Sequence, residues 1–558
     1  MKGFVMMHKP SPLTGGLIGG LLSLPLIVIA ALAQQFAGFS FFPFDTFDWV
    51  ARTLPGPLIT FGIDSMVAVI RGLNLGRTDT TAKLAEQSMA ILLVIVVAVI
   101  AGALFFVLMN ALAKRRTNGT AGAILGLIAG LPFAALSFGA LSAFDPLIGA
   151  GWTLLLWIIW GVIVGEIYER FALATAVVRT GASANEYTVD ATAIDRRQFL
   201  VQLGAATATI TVVGAGVSTL LNGTGSANSA SEISPAATLD PETAANLPVS
   251  RGDFNPAPGT RPEITPLAQH YRIDIRATPL DIPAEGYTLP FTTQIGGAAT
   301  IAALTLDDIR SNYEPVDAYI TMSCISNPVG GDLISTTKWT GVSMQDILAS
   351  MEVPEGATYL NIKGGDGFDE TLALDMIAND ERIMLTYAWD DQPLLPKHGF
   401  PLRIHIPNHY GMKQPKWITE IQFIEEDQDG YWVRRGWDKQ AIVRATSVID
   451  TVRAADSDAT AEPGAQPLVA IGGIAWAGDR GIAGVQVRID GGDWQNATVN
   501  APISDRTWQL WRYDWAFTEG YHTFEVRCIE TDGTMQIESN EPTRPSGATG
   551  IHSVSETL

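Results

Sequence analysis

The sequence predicts a multi-domain protein: an amino-terminal α-helical membrane bundle, a central α+β domain and a carboxy-terminal immunoglobulin-like β-sandwich. Long apolar runs occur only within the first 221 residues, which indicates membrane-crossing helices there. Strand-like and helix-like segments then alternate to about residue 452, and strand-like segments alone recur at turn spacing from about residue 467. Because 558 residues are too many for one hydrophobic core of ordinary size, several domains are expected.

Five apolar runs are long enough to cross a hydrocarbon core of about 30 Å, which takes about 20 helical residues. They cover residues 13–33, 88–112, 121–144, 147–168 and 198–221. Lys and Arg cluster before the first run, between the second and third, and between the fourth and fifth. Because such clusters stay on the cytoplasmic side, five crossings place the chain after residue 221 outside the cytoplasm.

Residues 36–75 are apolar in patches and are interrupted by Pro55, Gly56 and Pro57. The longest clean run there, 58–70, contains Asp64 and is short for a crossing. We expect an interfacial or re-entrant hairpin on the outer face. The alternative is a sixth crossing, which would place the amino terminus outside.

The fifth run opens with the string DRRQFL, which contains Arg196 and Arg197. This string is either a positive-inside anchor or a twin-arginine export signal, which shows RRxFL before a moderately hydrophobic segment. A stretch rich in Ser, Ala, Pro and Gly follows and predicts a flexible tether. The expected organisation is a membrane region with four transmembrane helices at 1–195, a fifth helix at 196–221, a linker at 222–262, the α+β domain at 263–455 and the β-sandwich at 460–545.

Charge and cysteine content exclude several classes of function. The net charge of −21 argues against nucleic-acid binding, which needs a basic face. Two cysteines cannot form a multi-disulfide scaffold, an iron–sulfur cluster or a zinc ribbon, and no CxxCH motif is present for covalent haem. All seven histidines lie outside the apolar runs, so haem b in the membrane is not expected. If the chain catalyses a redox reaction, its electrons therefore pass to a separate carrier, a quinone or a cytochrome.

Cys324 ends the strand-like run ITMSC and precedes a Gly-rich turn that contains Asn327. A thiolate at the end of a strand can bind a soft, high-valent metal ion. The alternative is a small buried hydrophobic residue. Cys528 alternates with Phe524 and Val526 and is expected to point into the core of the β-sandwich.

The string KHGFPLRIHIPNHYGMKQPKWI holds four basic residues, His398, Arg403, Lys413 and Lys416. Arg403 and Lys416 can donate hydrogen bonds to oxyanions, so a phosphate or a pyranopterin edge is a suitable ligand. The alternative is a solvated basic loop. His405 alternates with apolar residues on a strand and is expected to face solvent or to bond locally.

Together these segments resemble the molybdenum-cofactor domain of the sulfite oxidase family. The cysteine motif is followed by W-x-G and D-x-L patterns at Trp339 and Asp346, and then by HGFPLR and KW. Further on, GIAWAGDRGIAGVQVRIDGGDW, TWQLWRYDW and the spacing of Arg527, Glu530, Gly533 and Gln536 are similar to the family's carboxy-terminal domain. The resemblance covers about residues 263–545.

The resemblance implies a molybdenum ion held by a pterin dithiolene and by the Cys324 sulfur. It gives catalytic roles to Cys324, Arg272, Trp437 and Arg527, and cofactor-binding roles to Cys324, Asn327, His398, Arg403, Lys413 and Lys416. Trp437 stands where the family has a tyrosine beside the metal, so that phenolic donor is missing at this position. The string CISNP also lacks the arginines that follow the cysteine in the family.

The function implied is oxygen-atom transfer to or from a small sulfur compound or oxyanion, by an integral protein of the bacterial cell membrane with an extracytoplasmic catalytic domain. Because the arginines after Cys324 are absent, reduction of a sulfoxide or another oxyanion stays open beside sulfite oxidation. A homodimer is also left open. The alternative of a different class is a non-catalytic molybdopterin-like scaffold whose immunoglobulin-like module acts in surface binding or assembly.

Overall fold

The computed structural model describes residues 10–73, 75–112, 119–138, 146–174, 204–205, 207–208, 254–454 and 467–558. Outside the described residues lie the RRQFL string, most of the fifth predicted crossing and most of the expected linker. The chain divides into two compact units. One comprises Met1–Leu54 and Ala82–Glu232, and the other comprises Pro55–Thr81 and Ile233–Leu558.

Six helices make up the described amino-terminal region: α1 (Pro12–Ala37), α2 (Phe42–Thr53), α3 (Gly56–Gly72), α4 (Thr78–Leu112), α5 (Thr120–Phe138) and α6 (Pro146–Ala174). In this part of the chain α1, α4, α5 and α6 are long and apolar enough to cross a membrane. They coincide with the first four predicted runs. The interrupted segment 36–75 forms the shorter helices α2 and α3, with the break at Pro55.

Local chemistry sets the ends and the spacing of these helices. The Ser11 hydroxyl accepts a hydrogen bond from the Thr14 N–H at 3.1 Å and so caps α1. Gly38 ends α1 with φ of 73°, a left-handed conformation that glycine adopts without strain. Helices α5 and α6 approach so closely that a Cβ at Gly126 would lie 2.2 Å from the Trp157 carbonyl oxygen. Small residues permit this packing between apolar helices.

The second unit contains the described α+β region. Its strands are β1 (Thr288–Thr293), β2 (Ala299–Thr305), β3 (Val316–Ser323), β4 (Ile334–Ser343), β5 (Tyr359–Gly364), β6 (Asp369–Ala373), β7 (Met384–Trp389), β8 (Gln392–Pro393), β9 (Arg403–His405) and β10 (Ile418–Ile424). Its helices are α7 (Leu306–Ser311), α8 (Met344–Ala349) and α9 (Leu374–Asn379). Short 3-10 turns lie at Leu267–Gln269, Pro396–His398, Gly411–Lys413 and Val433–Arg435.

Two sheets form this region. The first has the order β2-β1-β10-β5-β6, and the second has the order β3-β4-β7-β8 with β9 also paired to β7. Strand β1 runs parallel to β10, whereas the other pairs are antiparallel. Residues of both sheets, such as Phe291, Val342 and Ile404, share one buried apolar core. The intermixed strands and helices agree with the α+β expectation.

The carboxy-terminal strands are β11 (Thr446–Ala454), β12 (Leu468–Trp476), β13 (Ile482–Ile489), β14 (Gln495–Val499), β15 (Gln509–Ala516), β16 (Tyr521–Glu530) and β17 (His552–Thr557). They form a continuous sheet in the order β11-β12-β15-β14-β13-β16-β17. The turn at 490–492 joins β13 to β14, and Asp490 and Gly491 have positive φ there. Cys528 is fully buried in the core of this sheet as a free thiol, as predicted.

Candidate functional site

Cys324 directly follows β3 and opens a tightly held turn. The Cys324 N–H donates to the Leu333 carbonyl at 3.0 Å, and the Asn327 N–H donates to the Cys324 carbonyl at 3.0 Å. The Asn327 side-chain oxygen accepts the Leu333 N–H at 3.0 Å. A Cβ at Gly331 would lie 2.2 Å from that oxygen, which explains the glycine. Asn327 therefore holds the loop that presents Cys324.

The Cys324 thiol is free, and the residue is 8% exposed. Burial raises its pKa, and the Ser326 hydroxyl, 3.0 Å from Sγ, acts in the opposite direction. Around it pack apolar and aromatic side chains that include Tyr271, Met322 and Trp339. The thiol is thus shielded from water by apolar side chains, and it forms no disulfide, because Cys528 is also free.

Two buried phenols, Tyr271 and Tyr410, lie close enough to Cys324 that negative charge on the sulfur raises their pKa. Burial is the larger cause of the upward shift in both. The Tyr410 oxygen accepts the Arg444 N–H at 3.1 Å. Trp437 is buried with Tyr410 in a neighbouring core. Two phenols from other segments, Tyr271 and Tyr410, are therefore buried near Cys324, whereas the position of Trp437 offers no phenol.

His270 and His398 form the centre of an aromatic cluster with Trp339 and Trp389. The two imidazole rings meet edge to face with centroids 5.2 Å apart, and His398 lies 4.5 Å from Trp389. Burial lowers the pKa of His270 to about 3 and that of His398 well below its ordinary value. Both rings are therefore neutral at physiological pH.

Four ring nitrogens of this cluster are buried and have no hydrogen-bond partner among the described residues. They are His270 Nε2, His398 Nε2, Trp339 Nε1 and Trp389 Nε1. His270 Nδ1 lies 3.1 Å from the Tyr271 carbonyl oxygen, which makes Nδ1 the donor and leaves the Nε2 lone pair as an acceptor in the neutral ring. Buried polar atoms are normally satisfied, so the cluster matches a ligand that carries both donors and acceptors.

Arg403 begins β9 beside this cluster. Its guanidinium donates to the His398 carbonyl at 3.1 Å and to Met322 Sδ at 3.6 Å. Among the residues that the structure describes, no carboxylate lies within salt-bridge distance of it. Burial lowers its pKa to about 10, so it stays charged. A buried cation without an acidic partner fits an anionic ligand.

Lys416 lies beside Arg403, to which it is joined by a backbone bridge. Its ammonium donates to the Asp274 carboxylate at 3.1 Å, and burial lowers its pKa to about 8. The Arg272 guanidinium donates to the same carboxylate at 2.7 Å. The fold thus brings four of the sequence-predicted residues, His398, Arg403, Lys416 and Arg272, into one region.

Lys413 and Arg527 have protein partners elsewhere. Lys413 donates to the buried Glu370 carboxylate at 2.5 Å. Arg527 lies on β16, where it binds Gln486 and Glu538 and covers the Trp494 ring at 4.2 Å. Their proposed roles at the cofactor therefore rest on the resemblance alone.

His405 is buried and makes a local hydrogen bond. The residue is 5% exposed, and its Nδ1 lies 3.1 Å from the Gln414 side-chain oxygen. It does not face solvent, because β9 pairs with β7 and is covered on both faces. Of the two arrangements expected for His405, a solvent-facing side chain or a local bond, the structure shows the local bond.

These residues fit a molybdopterin. No group of three or more His, Cys, Asp or Glu side chains in the described ranges is arranged to hold a metal ion. A metal at Cys324 consequently needs ligands from a bound cofactor, such as the dithiolene of a pterin. Arg403 and Lys416 would supply cations for its phosphate, and the His–Trp cluster would supply the unmatched ring nitrogens for its heterocycle.

Comparison with known proteins finds similar sequences over this region. Residues 277–432 match the family described as oxidoreductase molybdopterin binding domain. The chain is 25% identical to mitochondrial sulfite oxidase of Macaca fascicularis over 301 residues, covering 46% of this chain and 54% of that protein. It is 26% identical to nitrate reductase [NADH] of Hordeum vulgare over 196 residues, covering 30% of this chain and 21% of that protein.

A third relative is the uncharacterized oxidoreductase YuiH of Bacillus subtilis, 39% identical over 99 residues, which are 18% of this chain and 50% of that protein. The chain spans about half the length of the sulfite oxidases it matches. Among solved structures, the sulfane dehydrogenase SoxCD from Paracoccus pantotrophus aligns with a TM-score of 0.44 and 15% identity, over 59% of this chain and 92% of that one.

Proposed function

Since this chain belongs to the sulfite oxidase family of molybdopterin-dependent oxidoreductases through its carboxy-terminal half, we propose that it is a membrane-anchored, extracytoplasmic oxygen-atom transferase. Its substrate is a small sulfur compound or oxyanion. The observation that carries the proposal is the buried Arg403 guanidinium, which has no acidic partner among the residues that the structure describes. It lies beside the His–Trp cluster, with its unmatched ring nitrogens, and near the cysteine motif.

In this proposal the Cys324 sulfur holds molybdenum, and Arg403 and Lys416 hold the phosphate of the pterin. His270 and His398 are neutral, so they bind the heterocycle by hydrogen bonds without adding charge. When bound, the molybdenum cofactor supplies two-electron oxygen-atom transfer. The protein supplies binding, orientation and a preorganised polar environment.

Tyr271 and Tyr410 keep their phenolic protons, because burial raises the pKa of both. A protonated phenol can donate a hydrogen bond to an oxygen that gains negative charge during the reaction. Ser326 can donate to the Cys324 thiolate at 3.0 Å and stabilise its charge. Trp339 and Trp389 cover the site with apolar surface and limit the access of water.

The four apolar helices support membrane anchoring. We propose a quinone or a cytochrome as the separate electron carrier, and the RRQFL string as the export signal of a protein folded in the cytoplasm. The seven-stranded carboxy-terminal sheet is proposed as the immunoglobulin-like module, the part of the chain through which a homodimer would form.

The test is an anaerobic substrate screen on the full-length protein from a host that makes molybdenum cofactor. Sulfite and a series of sulfoxides are compared, with the Mo(V) resonance as readout. Substrate-dependent appearance or loss of that signal, absent in Cys324→Ser, supports the proposal. A protein that contains no molybdenum would favour the non-catalytic scaffold.

A further inference from the structure

The amino end of α4 contacts residues near the candidate cofactor site. Helix α4 itself belongs to the apolar amino-terminal part of the sequence. Residues 77–80 lie in the same compact unit as the molybdopterin-binding domain. The Thr78 N–H, at the first residue of α4, donates to the Asp332 carboxylate at 2.9 Å. Asp332 lies in the turn that runs from Cys324 to Leu333. The cysteine loop therefore caps this helix.

Asp79 makes the second connection, and the residue is only 6% exposed. Its carboxylate accepts the backbone N–H of Arg272 at 3.0 Å and both N–H groups of an Arg77 fork at 3.2 Å. The Arg272 guanidinium in turn binds Asp274, which accepts the Lys416 ammonium. A continuous series of bonds thus runs from the head of α4 to a cation of the cofactor site.

Arg77 adds charge at the same place. Its side chain is 39% exposed, and its positive charge contributes to the lowered pKa of both His270 and Lys397. Arg77 therefore lies near the His–Trp cluster and near Lys397, which precedes His398. Cations at this position are suited to the phosphate of a pterin cofactor.

We propose that residues 76–81 form a strap that retains the molybdopterin, an inference that rests on the proposed function. Asp79 is a positioning residue that fixes the segment from Arg272 to Asp274 and, through it, Lys416. Arg77 holds the Asp79 carboxylate through both N–H groups of its guanidinium and so keeps Asp79 in this position. The start of an apolar helix thereby becomes part of the cofactor site, and retention of the cofactor depends on the segment that leads into the membrane region.

The experiment measures the rate at which full-length holoenzyme releases molybdenum and pterin, by elemental analysis and by fluorescence of the oxidised pterin. Asp79→Asn and Arg77→Gln are expected to speed release at least about tenfold, because each removes part of the Arg77–Asp79 pair. A tenfold change corresponds to about 1.4 kcal/mol. Arg77→Lys keeps the charge and should stay near the wild-type rate. Arg77 is partly exposed, so its variants test the strap even if Asp79→Asn folds poorly.

The matched control is Glu525→Gln, which removes one charge from the Arg488–Glu525 pair on the carboxy-terminal sheet. It should leave release unchanged. The strap alone is overturned if the wild type contains molybdopterin at the normal level and if Arg77→Gln and folded Asp79→Asn release the cofactor at the wild-type rate. A wild type that never contains molybdopterin overturns the proposed function, and the strap with it.

Discussion

The Arg403 guanidinium lies 4.8 Å from the centroid of the Trp339 ring. The contact with the aromatic face partly compensates a buried charge that has no carboxylate within salt-bridge distance in the described ranges. Such a charge costs folding free energy until an anion is bound. We therefore expect an anionic ligand at this pair, where it would offset the cost of the buried charge.

Replacing Arg403 by Met should make the cofactor-free protein more stable and the cofactor harder to bind. We expect the free energy of unfolding of the cofactor-free form to rise by about 1–3 kcal/mol, because an uncompensated buried charge is removed. Molybdopterin content should fall at least about tenfold. Denaturant unfolding and pterin analysis measure the two effects, and a variant that loses stability while keeping its pterin would contradict the assignment.

Anion binding at Lys416 should depend on pH. Burial places its pKa at about 8 despite the Asp274 carboxylate, with Arg272 and Arg403 also opposing its charge. The ammonium is present below that pKa, so affinity should be full at pH 7 and should be lost as the pH rises through about 8. Calorimetry with a simple phosphate monoester on the cofactor-free protein measures this, because the second ionisation of a monoester lies near pH 6, below the range tested.

Lys416→Arg provides the control for that titration. The arginine stays protonated across the range, so the loss of affinity near pH 8 should disappear. Persistence of the same inflection in Lys416→Arg would show that another group titrates.

Lys413→Met should destabilise the fold without emptying the cofactor site. It leaves the buried Glu370 carboxylate unpaired, and burial already raises the pKa of that carboxyl group. The expected loss is about 3–5 kcal/mol of unfolding free energy. Glu370→Gln in the same chain should recover part of it. Molybdenum per folded chain should match the wild type, and a selective loss of molybdenum would instead make Lys413 a cofactor ligand.

Tyr271→Phe should lower kcat/KM for the substrate found in the screen by about 10²-fold, the usual effect of removing one donor to developing negative charge. Molybdenum content should not change, because the ring still fills its place. Trp437→Phe, which changes a neighbouring buried ring, is the comparison and should have a smaller effect. Equal losses in the two variants would argue against a role of the Tyr271 hydroxyl.

Much of this architecture could be predicted, because its signals are local. The charge-free run 88–112 predicts a long apolar helix, and the strand alternation around Cys528 predicts a buried thiol, as observed. The string from His398 to Lys416 is continuous in sequence, so His398, Arg403 and Lys416 could be proposed together. The structure places these three side chains in one region.

The other contacts of the candidate site join segments that are far apart in the sequence. No regular spacing of residues in the sequence therefore indicates them. Asp79 meets the Arg272 N–H across 193 residues, and Lys416 meets Asp274 across 142. Lys413 and Lys416 are three residues apart, yet the turn at Gly411–Lys413 directs Lys413 to Glu370. From the sequence, both lysines are basic residues of the same loop. Only the path of the backbone shows that their side chains have different partners.

The central claim is that the Cys324 sulfur binds molybdenum. X-ray absorption at the molybdenum edge of the full-length protein measures it directly, with Cys324→Ser as the comparison and Cys528→Ser as the control. The account predicts that Cys324→Ser has one sulfur ligand fewer than the wild type, whereas Cys528→Ser matches it. An identical sulfur count in the wild type and Cys324→Ser would contradict the claim.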